Sequence, residues 1–298
     1  MLSTVSQRPT PYRGRFAPSP SGLLHFGSLI AALASYLDAK AHQGQWLLRI
    51  EDIDPPREME GAADQIQRTL EAYGLYWDES PLYQSQQSSY YKELLAELHA
   101  RRLTYHCNCT RAQIKADGGI YQGRCKNKED VSAPYAIRLN NQQAIYQFND
   151  LIQGKVVCDK ALAAEDFILF RKDGLFAYNL AAVADDAYQN ISHVIRGCDL
   201  LEPTARQLSL FHTLNLQAPT YGHFPLATTD QGYKLSKQNK APAIDCNNPT
   251  PTLIAALNFL GLTTPKELSE GTHTEILGWA ISHWQRQLVP QTTTIEIS

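Results

Sequence analysis

No run of apolar residues in this chain approaches the roughly 20 needed to cross a bilayer, and Met1 to Arg15 lacks the apolar block of a secretory signal. The expectation is a cytoplasmic protein with no membrane partner. Internal repeats, low-complexity tracts and a Gly-x-x-x-x-Gly-Lys loop are also missing, which excludes a solenoid and a P-loop nucleotide site. The six cysteines (107, 109, 125, 158, 198 and 246) follow no regular disulfide spacing. Three of them crowd into residues 107–125, which points to metal. Formal net charge is only −3, which argues against a nucleic-acid binder as a whole. Charge is nevertheless uneven. Arg101 to Lys128 carries seven basic residues against one acid, Asp117, whereas 241–298 carries two against five. A phosphate backbone would meet the middle of the chain more readily than its end.

What is present suits an enzyme built on a substantial core, since 298 residues at 43% hydrophobic can bury two or three units. Ile30, Leu33, Leu37 and Ala41 recur at helical spacing and predict a helix over Gly27–His42. Trp46-Leu47-Leu48-Arg49-Ile50 reads as a buried strand, with helices near Ala62–Ala72 and Ser88–Arg102 after it. This alternation calls for a parallel sheet with crossover helices, an α/β fold. From Cys107 to Asp173 the pattern changes to short strands, Ala136–Leu139, Tyr146–Asn149 and Phe167–Phe170, with a turn at Asp173-Gly174. An inserted unit is the natural reading. Helix returns at Tyr178–Ala187, strand at Ser192–Ile195 and helix at Thr204–Leu214, before closing helices near Thr252–Leu260 and Thr274–Trp284.

Two short runs carry the chemistry. In Ala17-Pro18-Ser19-Pro20-Ser21-Gly22-Leu23-Leu24-His25-Phe26-Gly27-Ser28, the prolines and Gly22 force a tight loop that ends in a helix start. The first-turn N–H groups there favour an anion, Gly27 leaves room for a nucleotide, and the His25 imidazole can donate to phosphate oxygens. An ordinary capping histidine is the plainer alternative. In Lys234-Leu235-Ser236-Lys237-Gln238, two ammonium groups on an aperiodic stretch can close over a triphosphate.

The first run resembles the HIGH motif and the second the KMSKS motif of class I aminoacyl-tRNA synthetases, in the family's order. Arg15-Phe16-Ala17-Pro18-Ser19-Pro20, Arg49-Ile50-Glu51-Asp52-Ile53-Asp54 with Arg57, and His193-Val194-Ile195-Arg196-Gly197 resemble the glutamyl-tRNA synthetases over about Tyr12 to Lys240. The last 58 residues, 241–298, show no counterpart of that family's helical anticodon-binding domain, and with Asp54-Pro55-Pro56-Arg57 the chain is similar to the glutamyl-Q tRNA(Asp) synthetase branch. The resemblance implies a Rossmann-type parallel sheet in two halves (1–103 and 174–240), a zinc-bearing α+β insertion (104–173) and a small C-terminal helical region (241–298). It also implies activation of L-glutamate by ATP with Mg²⁺, then transfer to the queuosine base in the anticodon of tRNA(Asp), by a monomer.

By position, His25, Lys234 and Lys237 match catalytic residues, and His25, Gly27 and Lys237 the ATP contacts. Arg15, Phe16, Ala17, Pro18, Ser19, Glu51, Tyr178 and Arg196 match the glutamate pocket. Glutamate carries two carboxylates and one ammonium, which call for two cationic partners and one anionic partner. Arg15 and Arg196 would take the carboxylates, in either order, and Glu51 the ammonium. The plainer alternative for Arg49-Ile50-Glu51-Asp52 is a strand end with a surface ion pair. Cys107, Cys109, Tyr121 and Cys125 resemble the branch's structural zinc site, one ion per chain. Three thiols supply most of a tetrahedral shell; for the fourth ligand His106 and Asp117 compete with Tyr121, although His106 should face away from its neighbour Cys107. A small-molecule adenylate-forming enzyme would explain the ATP motifs but not the two arginines beside a basic metal-binding segment. Conventional 3′-end glutamylation of tRNA is another alternative, and a catalytically inert tRNA-binding module, which would need neither His25 nor Lys237, is a third.

Overall fold

In the computed structural model, which describes residues 11–229, 233, 235 and 242–297, β1 (Arg13–Phe16) leads through the proline-bearing loop into α1 (Phe26–Ala41). Gly22 bends that loop with φ at 144°, a conformation that side chains with a Cβ rarely adopt. His25 is the N-cap of α1: its Nδ1 accepts the Ser28 N–H at 3.3 Å, and Ser28 Oγ accepts the His25 N–H at 3.4 Å. β2 (Gln45–Ile50) runs parallel to β1 and is buried from Trp46 onward, as a central parallel strand must be. Trp46, Leu48 and Ile50 pack toward α1, while Leu47 turns to the other face with Ile191, Val194 and Tyr221.

After α2 (Ala62–Ala72), β3 (Leu82–Tyr83) adds to β2 in parallel, and α3 (Ser88–Ala100) follows. That helix stops two residues short of the expected end because Arg102 has φ at 56°. The inserted unit contains β4 (Thr104–Cys107), α4 (Arg111–Ala116), β5 (Ala136–Leu139), β6 (Gln147–Asp150), β7 (Gly154–Val157), α5 (Lys160–Ala164) and β8 (Ile168–Phe170). Here the pairing is antiparallel throughout, as a β4-β5-β8 sheet and a β6-β7 hairpin.

The parallel fold resumes with α6 (Tyr178–Tyr188), β9 (His193–Gly197), α7 (Pro203–Thr213) and β10 (Thr220–Phe224), which pairs with β9. The Ser192 N–H donates to the Arg13 carbonyl at 2.9 Å and lays β9 alongside β1. The two parallel sheets, β1-β2-β3 and β9-β10, thus meet edge to edge, and the succession β3-β2-β1-β9-β10 is that of a doubly wound fold. Finally come β11 (Leu226–Thr228), α8 (Pro249–Phe259), α9 (His273–His283) and β12 (Thr294–Glu296). The closing helices join the core of α1 through Leu253, Leu257 and Ile276, and β12 pairs in parallel with β11. Trp284 and Arg286 donate to Asp38 of α1, so this end of the chain is tied to the main core. α3, α6 and α7 share a separate core on the opposite side.

Candidate active site

A cleft of about 730 Å³ opens where the chain leaves β1, β2, β9 and β10, beside the start of α1. Open α/β sheets place ligands at these C-terminal strand ends because the loops diverge there. Arg15, Phe16, Ala17, Pro18, Ser19, His25, Gly27, Glu51, Tyr178 and Arg196 all line it. Residues up to 181 positions apart in sequence thus share one wall. Lys234 and Lys237 lie outside the described residues, but Leu235 between them lines the cleft.

Both arginines are buried and anchored from behind. Arg15 Nε donates to Asp186 Oδ1 at 3.1 Å, and the same oxygen accepts from Arg49 Nη2 at 2.7 Å. Arg49, fully buried, also grips Gln189 Oε1, so it is scaffold, not a surface ion pair at a strand end. Burial alone would weaken the charge on Arg15, but Asp186 keeps its pKa raised. Arg196 Nε donates to His223 Nε2 at 3.0 Å, and its Nη2 donates to Thr204 Oγ1 at 2.8 Å and the Leu200 carbonyl at 3.2 Å. Its Nη1 has no partner among the described residues. A buried guanidinium nitrogen left without an acceptor in a cleft wall is suited to an anionic ligand.

Glu51 supplies the opposite charge. Burial pushes its carboxyl up to about 7, against the pull of Arg49 and Arg15 and with Asp185 and Asp186 reinforcing the rise. A bound ammonium would restore its ionisation. Burial likewise raises the Tyr178 phenol. With Nδ1 of His25 accepting from Ser28, the neutral ring carries its proton on Nε2 as a donor. A Cβ at Gly27 would come within 3.1 Å of the His25 ring and 3.3 Å of the Leu235 carbonyl, so glycine permits the close approach of the two motif segments.

The thiols of Cys107, Cys109 and Cys125 lie within 4.8 Å of one another and could hold a metal ion. Sulfurs around a tetrahedral Zn²⁺ with bonds of about 2.3 Å stand about 3.8 Å apart, which this cluster can match. Burial alone would raise Cys107, but Tyr121, the Cys109 backbone and Arg138 bring it down to about 7, toward the thiolate. Burial and the neighbouring sulfurs push Cys109 up to about 11. The Tyr121 hydroxyl sits in the same buried cluster and accepts the Cys125 N–H at 2.8 Å. His106 instead stacks on Tyr135 at 3.8 Å between ring centres, and Asp117 pairs with Arg124. Neither joins the sulfurs.

A second cleft of about 830 Å³ adjoins the first and shares Arg57 and Tyr178 with it. Arg111, Arg138, Arg171 and Arg206 line it together with Asp54, Glu165 and Asp173. The charge count between Arg101 and Lys128 pointed toward this region, but Arg138, Arg171 and Arg206 reach it from outside that segment.

Residues 12–276 match the family of class I tRNA synthetases (E and Q), catalytic domain. Glutamyl-Q tRNA(Asp) synthetase of Colwellia psychrerythraea (strain 34H) is 63% identical, with 96% of this chain and 94% of that one covered. The chain belongs to the class I tRNA synthetases (E and Q), among the glutamyl-Q tRNA(Asp) synthetases. The protein of the same name from Escherichia coli O6:H1 is 53% identical over 96% of this chain and 93% of that one. The glutamate-tRNA synthetase of Elizabethkingia anophelis superposes with a TM-score of 0.79 at 25% identity, over 97% of this chain and 68% of that chain. The α/β fold with a parallel sheet expected from the sequence is therefore that of a class I synthetase, and the chain is an aminoacyl-tRNA ligase.

Three supporting residues escaped the sequence. Asp186, His223 and Asp150 hold the two pocket arginines, yet none stands in a recognisable motif. His223 reads as one histidine in the short strand Thr220–Phe224, and Asp150 as the opening residue of a turn.

Proposed function

We propose that this enzyme activates L-glutamate with ATP as glutamyl adenylate and transfers the glutamyl group to the queuosine base in the anticodon of tRNA(Asp). The observation that carries the first half is the single cleft in which two anchored arginines and Glu51 stand beside the His25 helix start. Arg15 and Arg196 take the two carboxylates of glutamate, Glu51 its ammonium, and Phe16, Ala17, Pro18, Ser19 and Tyr178 shape the pocket between them. The α-carboxylate attacks the α-phosphorus of ATP, a P–O bond forms, and pyrophosphate leaves. His25 Nε2–H, Lys234 and Lys237 stabilise the charge that builds on the phosphates, and Gly27 admits the nucleotide. Mg²⁺ carried by ATP offsets part of the triphosphate charge.

In the second step a hydroxyl of the queuosine cyclopentenediol attacks the acyl carbon and AMP departs. The relatives named glutamyl-Q tRNA(Asp) synthetase support this acceptor, and so does the arginine-lined cleft that meets the first at Arg57 and Tyr178. Guanidinium groups there suit a phosphate backbone threading toward the adenylate. Zn²⁺ held by Cys107, Cys109, Cys125 and Tyr121 would fix the inserted unit that carries part of this wall. The enzyme works as a monomer in the cytoplasm, with 104–173 as the inserted unit and 241–298 as a stem-contact-like region.

ATP–pyrophosphate exchange across amino acids tests the first step. Glutamate should support it without RNA, far better than glutamine or aspartate. Glutamine lacks the second carboxylate charge and aspartate is one methylene short, so each leaves a buried group unpaired. Equal exchange with glutamine would overturn the pocket assignment.

A further inference from the structure

We propose that Asp150 and His223 are positioning residues for Arg196, forming a buried line of hydrogen bonds that runs from the β6-β7 hairpin through β10 to β9 and presents one guanidinium nitrogen to the substrate. The proposal rests on the reading that Arg196 grips a glutamate carboxylate. His223 and Arg196 are directly paired in the parallel ladder of β9 and β10, so their side chains share a face. Asp150 ends β6 in the inserted unit, and its carboxylate is saturated. Oδ1 accepts the backbone N–H groups of Ile152, Gln153 and His223 at 3.0, 2.8 and 3.0 Å, and Oδ2 meets His223 Nδ1 at 2.6 Å. Both side chains are fully buried.

These contacts set the histidine's tautomer. An ionised carboxylate can only accept, so Nδ1 carries the proton; Nε2 is then the acceptor that Arg196 Nε requires. Burial, the largest influence on His223, favours the neutral ring, which keeps this acceptor available. With Nε held by His223 and Nη2 held by Thr204 and Leu200, only Nη1 lacks a partner among the described residues, and Arg196 lines the cleft. The inserted unit thereby becomes part of the amino-acid pocket: displacement of the β6-β7 hairpin would release the arginine.

Asp150→Asn tests the line with little change of shape. Its amide oxygen can still accept the three backbone N–H groups, but its NH₂ now faces His223 Nδ1. The ring should move its proton to Nε2, where it opposes Arg196 Nε–H. In glutamate-dependent ATP–pyrophosphate exchange by the full chain, KM for glutamate should rise roughly tenfold or more. KM for ATP should stay within about twofold, because the line touches only the amino-acid side of the cleft. In spectra of protein labelled with ¹⁵N-histidine, His223 should change from the Nδ1–H to the Nε2–H form. His223→Gln and His223→Asn decide the matter if Asp150→Asn fails to fold. The glutamine oxygen can reach Arg196, whereas the asparagine amide reaches only Asp150, so the glutamine variant should keep the lower KM for glutamate. Equal KM values for these two variants, an unchanged KM in Asp150→Asn, or parallel rises for glutamate and ATP would overturn the proposal. If the wild type shows no exchange with glutamate, the substrate reading fails by itself. The spectra then still decide, because an Nε2–H form in the wild type would refute the line.

Discussion

Glutamate use should follow the ionisation of Glu51. Its carboxyl sits at about 7 in the free enzyme, against 4.5 for an ordinary glutamate, chiefly because burial penalises the charge and because Asp185 and Asp186 repel it. Only the ionised form can receive the substrate ammonium, so protonation competes directly with binding. At pH 6 roughly one enzyme in ten carries the charge, and at pH 8 roughly nine in ten do. From pH 6 to 8, kcat/KM for glutamate should therefore climb about tenfold, and KM for ATP should not follow it. The substrate's own ammonium and carboxylates do not titrate in that window, and Arg15, against the effect of its burial, is kept charged by Asp186. Glu51→Gln should flatten the profile and lower its level by roughly 10- to 100-fold, since a charge-assisted hydrogen bond is replaced by a neutral one. The assay is pyrophosphate exchange at limiting glutamate and saturating ATP. A flat wild-type profile between pH 6 and 8, or an undiminished slope in Glu51→Gln, would refute the assignment of Glu51.

Elemental analysis of the purified protein should find zinc, and Cys109→Ser should release it and open 107–128 to proteolysis while adenylate formation largely survives; a zinc-free wild type would remove the metal from the account. Arg196→Ala should raise KM for glutamate by at least about tenfold and leave KM for ATP near its wild-type value, with an unaltered KM for glutamate as the contrary result. Asp38→Ala should cost about 3–5 kcal/mol in urea denaturation, because it leaves the Trp284 and Tyr12 donors unpaired in the core and takes the carboxylate from the part-buried Arg286; a loss below about 1 kcal/mol would show that the C-terminal segment is held by its apolar contacts alone.

How much of this was legible in the sequence depended on separation along the chain. The loop into α1 was readable because Pro18, Pro20, Gly22 and the helical spacing after Gly27 act locally, and the metal cluster because Cys107, Cys109 and Cys125 are close neighbours. β2 was readable from the apolar run Trp46-Leu47-Leu48 with Ile50 beyond it, and the structure buries all of it. Long-range partners were not. Asp150 and His223 are 73 residues apart, and Asp186 reaches Arg49 across 137, so no spacing announces either contact. A surface ion pair stayed open as the plainer alternative for Arg49 only because its acceptors, Asp186 of α6 and Gln189 just after it, are far away in sequence. β11 and β12, of three residues each, are too short to show periodicity, and their pairing comes from the packing of α8 and α9 on α1. The second cleft was half visible: Arg111 stood in the basic segment, while Arg171 and Arg206 are brought in by the fold.

The most direct test of the central claim is transfer of labelled glutamate to three RNAs: tRNA(Asp) with queuosine, tRNA(Asp) without it, and tRNA(Glu). Label should appear on the queuosine-containing tRNA(Asp) alone, and removal of its 3′-terminal adenosine should change nothing. Label at the 3′ end of tRNA(Glu), or on tRNA(Asp) that lacks queuosine, would contradict the account.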